Sequence, residues 1–277
     1  MGSTAMRSST LAAILMCAAL AACESGPFKR SESLPQQQTM QQQQLPPIKV
    51  EEATPRYKAE LHTDLAAGYF ERGQYDVALE ELGEGLKADP TYPKLYSVYG
   101  LVYTELGDEP KAELNFRKGL ELAPADSEVR HNWGWYLCTH GKPRESIPEF
   151  EVAIRNPLYK STDIALTNAG RCSADYGDTQ RADDYFKRAL SINPANTTAA
   201  YSLALLSYRE ARLAEARTLI RRVMQQTQQP QPEALFLGMC IEHKLGDRGS
   251  EASYASQLRN RFPESAEAKA ISPTACP

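Results

Sequence analysis

The chain has 277 residues, 42% of them hydrophobic and 24% charged, with 31 basic against 35 acidic side chains and a formal net charge of −4. That balance excludes a nucleic-acid binder, which needs a basic patch against phosphate, whereas the cationic runs here are short pairs such as Arg221-Arg222. Four scattered histidines (His62, His131, His140, His243), with no H-E-x-x-H and no C-x-x-C, exclude the common metal and dithiol signatures.

The N-terminus reads as an export signal. Arg7 supplies the positive charge, and an apolar run from Leu11 to Ala22 ends in small residues. The run is too short to span a bilayer, which takes about 20 apolar residues. Its last residues, Leu20-Ala21-Ala22-Cys23, resemble the bacterial lipobox. The resemblance implies cleavage after residue 22 and acylation of Cys23. Glu24 stands where inner-membrane lipoproteins carry Asp, which favours the periplasmic face of the outer membrane. Each buried methylene contributes about 0.8 kcal/mol, so several acyl chains on one cysteine hold tightly. Residues 23–56 are expected to form a flexible tether. They contain Gln36-Gln37-Gln38, Gln41 to Gln44, Pro35, Pro46, Pro47 and Pro55, and such composition buries too little apolar surface to offset ordering entropy. A chain of about 32 such residues reaches roughly 30 Å.

From residue 57 the sequence repeats. Gly73, Gly107 and Gly141 are 34 apart; Gly177 follows 36 later, Ala211 holds the slot 34 on, and Gly246 comes after 35. This period resembles that of the tetratricopeptide repeat, a helix pair that must stack on copies of itself to bury its apolar face. Each recurring residue has a physical task. A small residue in the middle of the first helix (Ala66, Gly100, Gly134, Gly170, Ala204, Gly238) lets the partner helix approach. Its counterpart in the second helix is Ala78, Ala112, Ser146, Ala182 or Ala216. The glycine between helices takes positive φ, and a bulky side chain (Leu82, Phe116, Phe150, Phe186, Ile220) fills the pair. A proline near each repeat's end (Pro90, Pro124, Pro157, Pro194, Pro230) stops the second helix. The expected fold is all-α, a superhelix of about six helix pairs over residues 57–271, with 272–277 as a tail. Two extra residues around Tyr159 to Thr162 are expected to bend the stack.

Four cysteines remain in the body. Cys138 and Cys172 lie at nearly matching places on adjacent first helices, and an oxidising compartment allows a bond between them. A Cys138–Cys172 disulfide is the expected state, with two buried thiols as the alternative. Cys240 and Cys276 either pair or stay free. Cys138 with His140 is expected to be a helix end, not a nucleophile and base. Gly141-Lys142 is followed by Pro143 where a phosphate loop needs Ser or Thr. No enzyme activity, cofactor, metal or small-molecule substrate is expected.

Arrays that resemble this one line their concave face with the first helices, at the second, fifth, ninth and twelfth positions. Those positions include Phe70, Leu101, His131, Trp135, Arg171, Tyr201, Leu205, Tyr208, Leu235 and Met239. The set is rich in aromatics and includes arginine, the residue types that dominate interfaces. A register error of one residue would make several of them core instead.

The whole arrangement is similar to the type IV pilus biogenesis and stability lipoproteins, the PilF/PilW family. The likeness spans residues 20 to about 270 and includes Tyr69 to Glu80, the helix Asn132-Trp133-Gly134-Trp135-Tyr136-Leu137-Cys138, and Asn168-Ala169-Gly170-Arg171-Cys172. It implies a pilotin that takes secretin subunits to the outer membrane and promotes their multimerisation. Two other roles compete. One is outer-membrane β-barrel assembly, whose lipoproteins carry a motif like Phe262-Pro263-Glu264-Ser265; the other is a periplasmic scaffold for cell-wall enzymes.

Overall fold

The repeat period becomes six antiparallel helix pairs in the computed structural model. These are α1 (Pro55–Glu71) with α2 (Tyr75–Ala88), α3 (Pro93–Glu105) with α4 (Glu109–Leu122), and α5 (Ser127–Thr139) with α6 (Pro143–Ile154). The array continues as α7 (Thr162–Asp175) with α8 (Thr179–Ile192), α9 (Thr197–Arg209) with α10 (Leu213–Gln226), and α11 (Pro232–Leu245) with α12 (Arg248–Arg261). A single turn, α13 (Ala266–Lys269), follows. The structure describes residues 54–272 and 276–277, all within the unit Glu51–Pro277, and no strand occurs among them. The export signal, Cys23 and the tether up to residue 53 lie outside the described residues.

Local chemistry sets the helix ends. Thr54, Asp108, Asp126, Asp178, Asn196, Asp247 and Ser265 each cap a helix by accepting a backbone N–H with the side chain. Thr54 starts α1 two residues before the expected boundary, with Pro55 pre-set for the first turn. Each first helix ends in the same closure: the N–H after the left-handed residue donates to a carbonyl five residues back. Examples are Gln74 to Tyr69 (2.9 Å) and Asp178 to Ser173 (2.9 Å). Glycine holds that slot in five pairs, and Ala211 adopts it in the fifth with φ 57°, a conformation costing an alanine about 1–2 kcal/mol. The second helices α2, α4 and α8 stop two residues short of Pro90, Pro124 and Pro194. One helix carries an interior proline, Pro148 of α6, which removes a ladder hydrogen bond.

The bulky slot of the second helix meets the small slot of the first. Phe116, Phe150 and Phe186 are buried, and an ideal Cβ added at Gly100 would stand 2.7 Å from the Phe116 ring. Each first helix after α1 also packs on the preceding pair: α7 touches α5 and α6, and α9 touches α7 and α8. The extra residues after α6 go into the connection 155–161. There Tyr159 turns back towards α5, and its hydroxyl meets His131 Nδ1 at 2.7 Å.

Candidate functional site

The ten expected groove residues divide into two sets. Four are core and offer no surface to a partner: His131, Tyr208, Leu235 and Met239 are 8%, 1%, 0% and 2% exposed. Each has a specific cover. His131 sits beneath the 155–161 loop, with Tyr159 at one ring nitrogen and the Asn168 amide donating to Nε2 at 2.9 Å. Tyr208 lies under the Lys244 ammonium, 3.9 Å from its ring centre. Leu235 and Met239 belong to the last hydrophobic cluster, against which Ala268, Ile271 and Cys276 of the C-terminal segment pack.

The other six keep exposed surface. Four of these come together across three successive first helices. The Arg171 guanidinium of α7 stands 5.0 Å from the Trp135 ring centre on α5, a cation–π contact. Arg171, Tyr201 and Leu205, joined by Asp175 and Arg209, line a hollow of about 260 Å³. Tyr201 also borders a second hollow of about 400 Å³ beside Val223 and Glu233. Burial raises the Tyr201 hydroxyl above its ordinary value, with Glu233 adding to the effect, so it stays a neutral hydrogen-bonding group. Phe70 and Leu101 do not share this patch. Phe70 lies against Tyr75 in the first pair, and Leu101 flanks the Phe116–Trp133 cluster. Asp175 and Arg209 escaped the sequence reading because each falls four residues beyond a chosen position, on the helix's last turn.

A disulfide joins Cys138 of α5 to Cys172 of α7, tying together the helices that carry Trp135 and Arg171. A second disulfide joins Cys240 of α11 to Cys276. The Cys138 sulfur is therefore no nucleophile. His140 ends α5, with Nδ1 2.8 Å from the Tyr136 carbonyl and its ring stacked on Tyr136 at 4.1 Å. Among the described residues no cluster of His, Cys, Asp or Glu is arranged to hold a metal.

His131 gives the array a pH dependence. Burial pushes its imidazole down from 6.5 to about 4. The folded state thus keeps His131 neutral where the unfolded chain already takes up a proton. Stability is full above about pH 6.5 and falls as the pH drops towards 4, at about 1.4 kcal/mol per unit of separation between the two values. Unfolding free energies from denaturant titrations at about pH 7.5 and 4.5 are expected to differ by roughly 2–3 kcal/mol more in the wild type than in His131→Gln. An equal difference in both proteins would remove His131 as the cause.

Known proteins match along the array. Tetratricopeptide-repeat family models match residues 93–126 and 174–235, and a TPR-repeat model matches 68–107. The type IV pilus assembly protein PilF of Pseudomonas aeruginosa is 28% identical over 208 residues, covering 74% of this chain and 81% of PilF. The crystal structure of PilW, a widely conserved type IV pilus biogenesis factor, superposes with a TM-score of 0.70 at 30% identity. That match covers 77% of this chain and 97% of PilW. The Pseudomonas aeruginosa PilF structure also gives 0.70, at 25% identity, covering 78% of this chain and 96% of the other.

Proposed function

The chain belongs to the PilF/PilW family of type IV pilus biogenesis factors, and from that premise we propose that it serves pilus biogenesis as a lipid-anchored pilotin. In this reading Cys23 carries the lipid on the periplasmic face of the outer membrane. The tether gives reach, and the solenoid binds secretin subunits, brings them to the membrane and promotes their multimerisation. Anchoring confines the search to a layer near one surface and raises the encounter concentration without any new contact. The lipobox at Leu20-Ala21-Ala22-Cys23 supports the anchor, and family membership supports the client.

The observation that carries the binding role is the patch of Trp135, Arg171, Tyr201 and Leu205. An indole under a guanidinium, a phenol between two hollows and an aliphatic side chain suit a segment with apolar anchors and a carboxylate near Arg171 and Arg209. The patch needs no chemistry beyond contact, which fits an assembly factor. Truncating interface aromatics commonly costs about 2 kcal/mol or more, so Trp135→Ala with Tyr201→Ala is expected to weaken secretin binding at least about tenfold. Titration of purified secretin subunits onto both proteins checks this, with helical content by circular dichroism confirming the fold. Unchanged affinity would exclude the patch as the binding surface.

A further inference from the structure

The two ends of the solenoid are finished differently. At the head, α1 has no preceding pair among the described residues, and Tyr57, Leu61 and Leu65 are 56%, 47% and 42% exposed. In the next two repeats the Leu61 slot is buried against the preceding second helix. Leu95 and Val129 occupy the slot of Leu61, and both are 0% exposed. They are also the side chains that a Cβ at Gly85 of α2 or Gly119 of α4 would meet, at 2.8 and 3.2 Å. Trp133 occupies the slot of Leu65 and packs on Phe116 of α4, ring centres 5.7 Å apart. The α1 stripe is thus the docking face of a first helix with no described element docked on it.

At the tail the corresponding face is covered. Ala266, the first residue of α13, comes 34 after Pro232, the first of α11, so α13 stands where a seventh first helix would begin. It touches α11 and α12, as α9 touches α7 and α8. Ile271 comes 34 after Leu237 and so occupies the slot that Leu65 holds in α1. Ala268, Ile271 and Cys276 pack on the cluster that contains Leu235, Leu237 and Leu258, and the Cys240–Cys276 bond fastens the segment to α11. The C-terminal segment is therefore a half repeat held in place covalently.

We propose that this half repeat occupies the face that would otherwise accept α1 of a second copy of this chain, and so keeps the protein from stacking head to tail. The occupant is set by register: α1 presents on its open side the positions that Glu267 and Ile271 fill at the tail. A head-to-tail contact of this kind does not close on itself, so each added copy leaves a fresh end and the product is an open filament. Covering one end stops that growth and leaves the groove of Trp135 and Tyr201 free.

Light scattering on the full chain without its lipid signal tests this. The wild type is expected to remain a monomer as concentration rises. Replacing both cysteines of the lock by serine and adding Ile271→Asp is expected at least to double the apparent mass with rising concentration. Leu65→Glu on that background is expected to return the monomer while circular dichroism stays that of the wild type. Three results would overturn the proposal: an unlocked variant that stays monomeric, assembly that Leu65→Glu leaves unchanged, or loss of helix on unlocking, which would make the segment part of the core instead of a cover.

Discussion

Phe186→Ala is expected to destabilise the array by about 3–5 kcal/mol, among the largest effects of any single substitution. Phe186 is 1% exposed and fills the space between α7 and α8 where α7 has no side chain. An ideal Cβ at Gly170 would stand 2.6 Å from Phe186 Cε1 and 2.7 Å from Cδ1. The two positions therefore share one volume. Gly170→Ala alone overpacks it, at about 1–3 kcal/mol, offset by about 1 kcal/mol of helix propensity. In the double variant the added methyl enters the space the ring has left. The combined loss is expected to fall short of the sum of the single losses by about 1 kcal/mol or more, measured by chemical denaturation. Strict additivity would show that the small slot of the first helix and the bulky slot of the second are not coupled. That coupling is the physical basis of the repeat.

Breaking the Cys138–Cys172 disulfide is expected to cost about 3–4 kcal/mol. The bond spans 34 residues of sequence, and a loop of that length loses roughly this much closure entropy in the unfolded state. It also fixes α5 against α7, and with them the Trp135–Arg171 contact. Cys138→Ser with Cys172→Ser is therefore expected to lower the denaturation midpoint and to weaken secretin binding in the same protein. A lowered midpoint with full affinity would confine the bond to stability. An unchanged midpoint would mean that packing of α5 on α7 already does its work.

The fold was legible because its constraints are local and recur. A left-handed residue every 34 or so positions, a small slot facing a bulky slot and a proline after each second helix fix helix ends and pairing together. The period even places Ala211 in a slot glycine usually takes, where the structure has φ 57°. The same spacing put Cys138 and Cys172 on facing turns, where they are bonded. The groove was only partly legible, because exposure depends on what lies over a side chain as well as on its helix face. His131 has a groove register, yet the longer α6–α7 connection lays Tyr159 on it. Leu235 and Met239 have the same register, yet they sit in the cluster on which the C-terminal segment packs. The first cover comes from an insertion outside the period, and the second keeps the register for only a single helical turn, too short to show the repeat's other marks. Pro148 likewise breaks the pattern of α6 without ending the helix.

The central claim, that this family member pilots a secretin from a lipid anchor, is tested most directly by fractionation. The gene is deleted and heat-resistant secretin multimers are assayed in outer-membrane fractions, with the deletion complemented by the wild type or by Cys23→Ala. Multimers lost in the deletion, restored by the wild type and not restored by Cys23→Ala are the predicted result. Normal multimers in the deletion, or full rescue by the unlipidated protein, would contradict it.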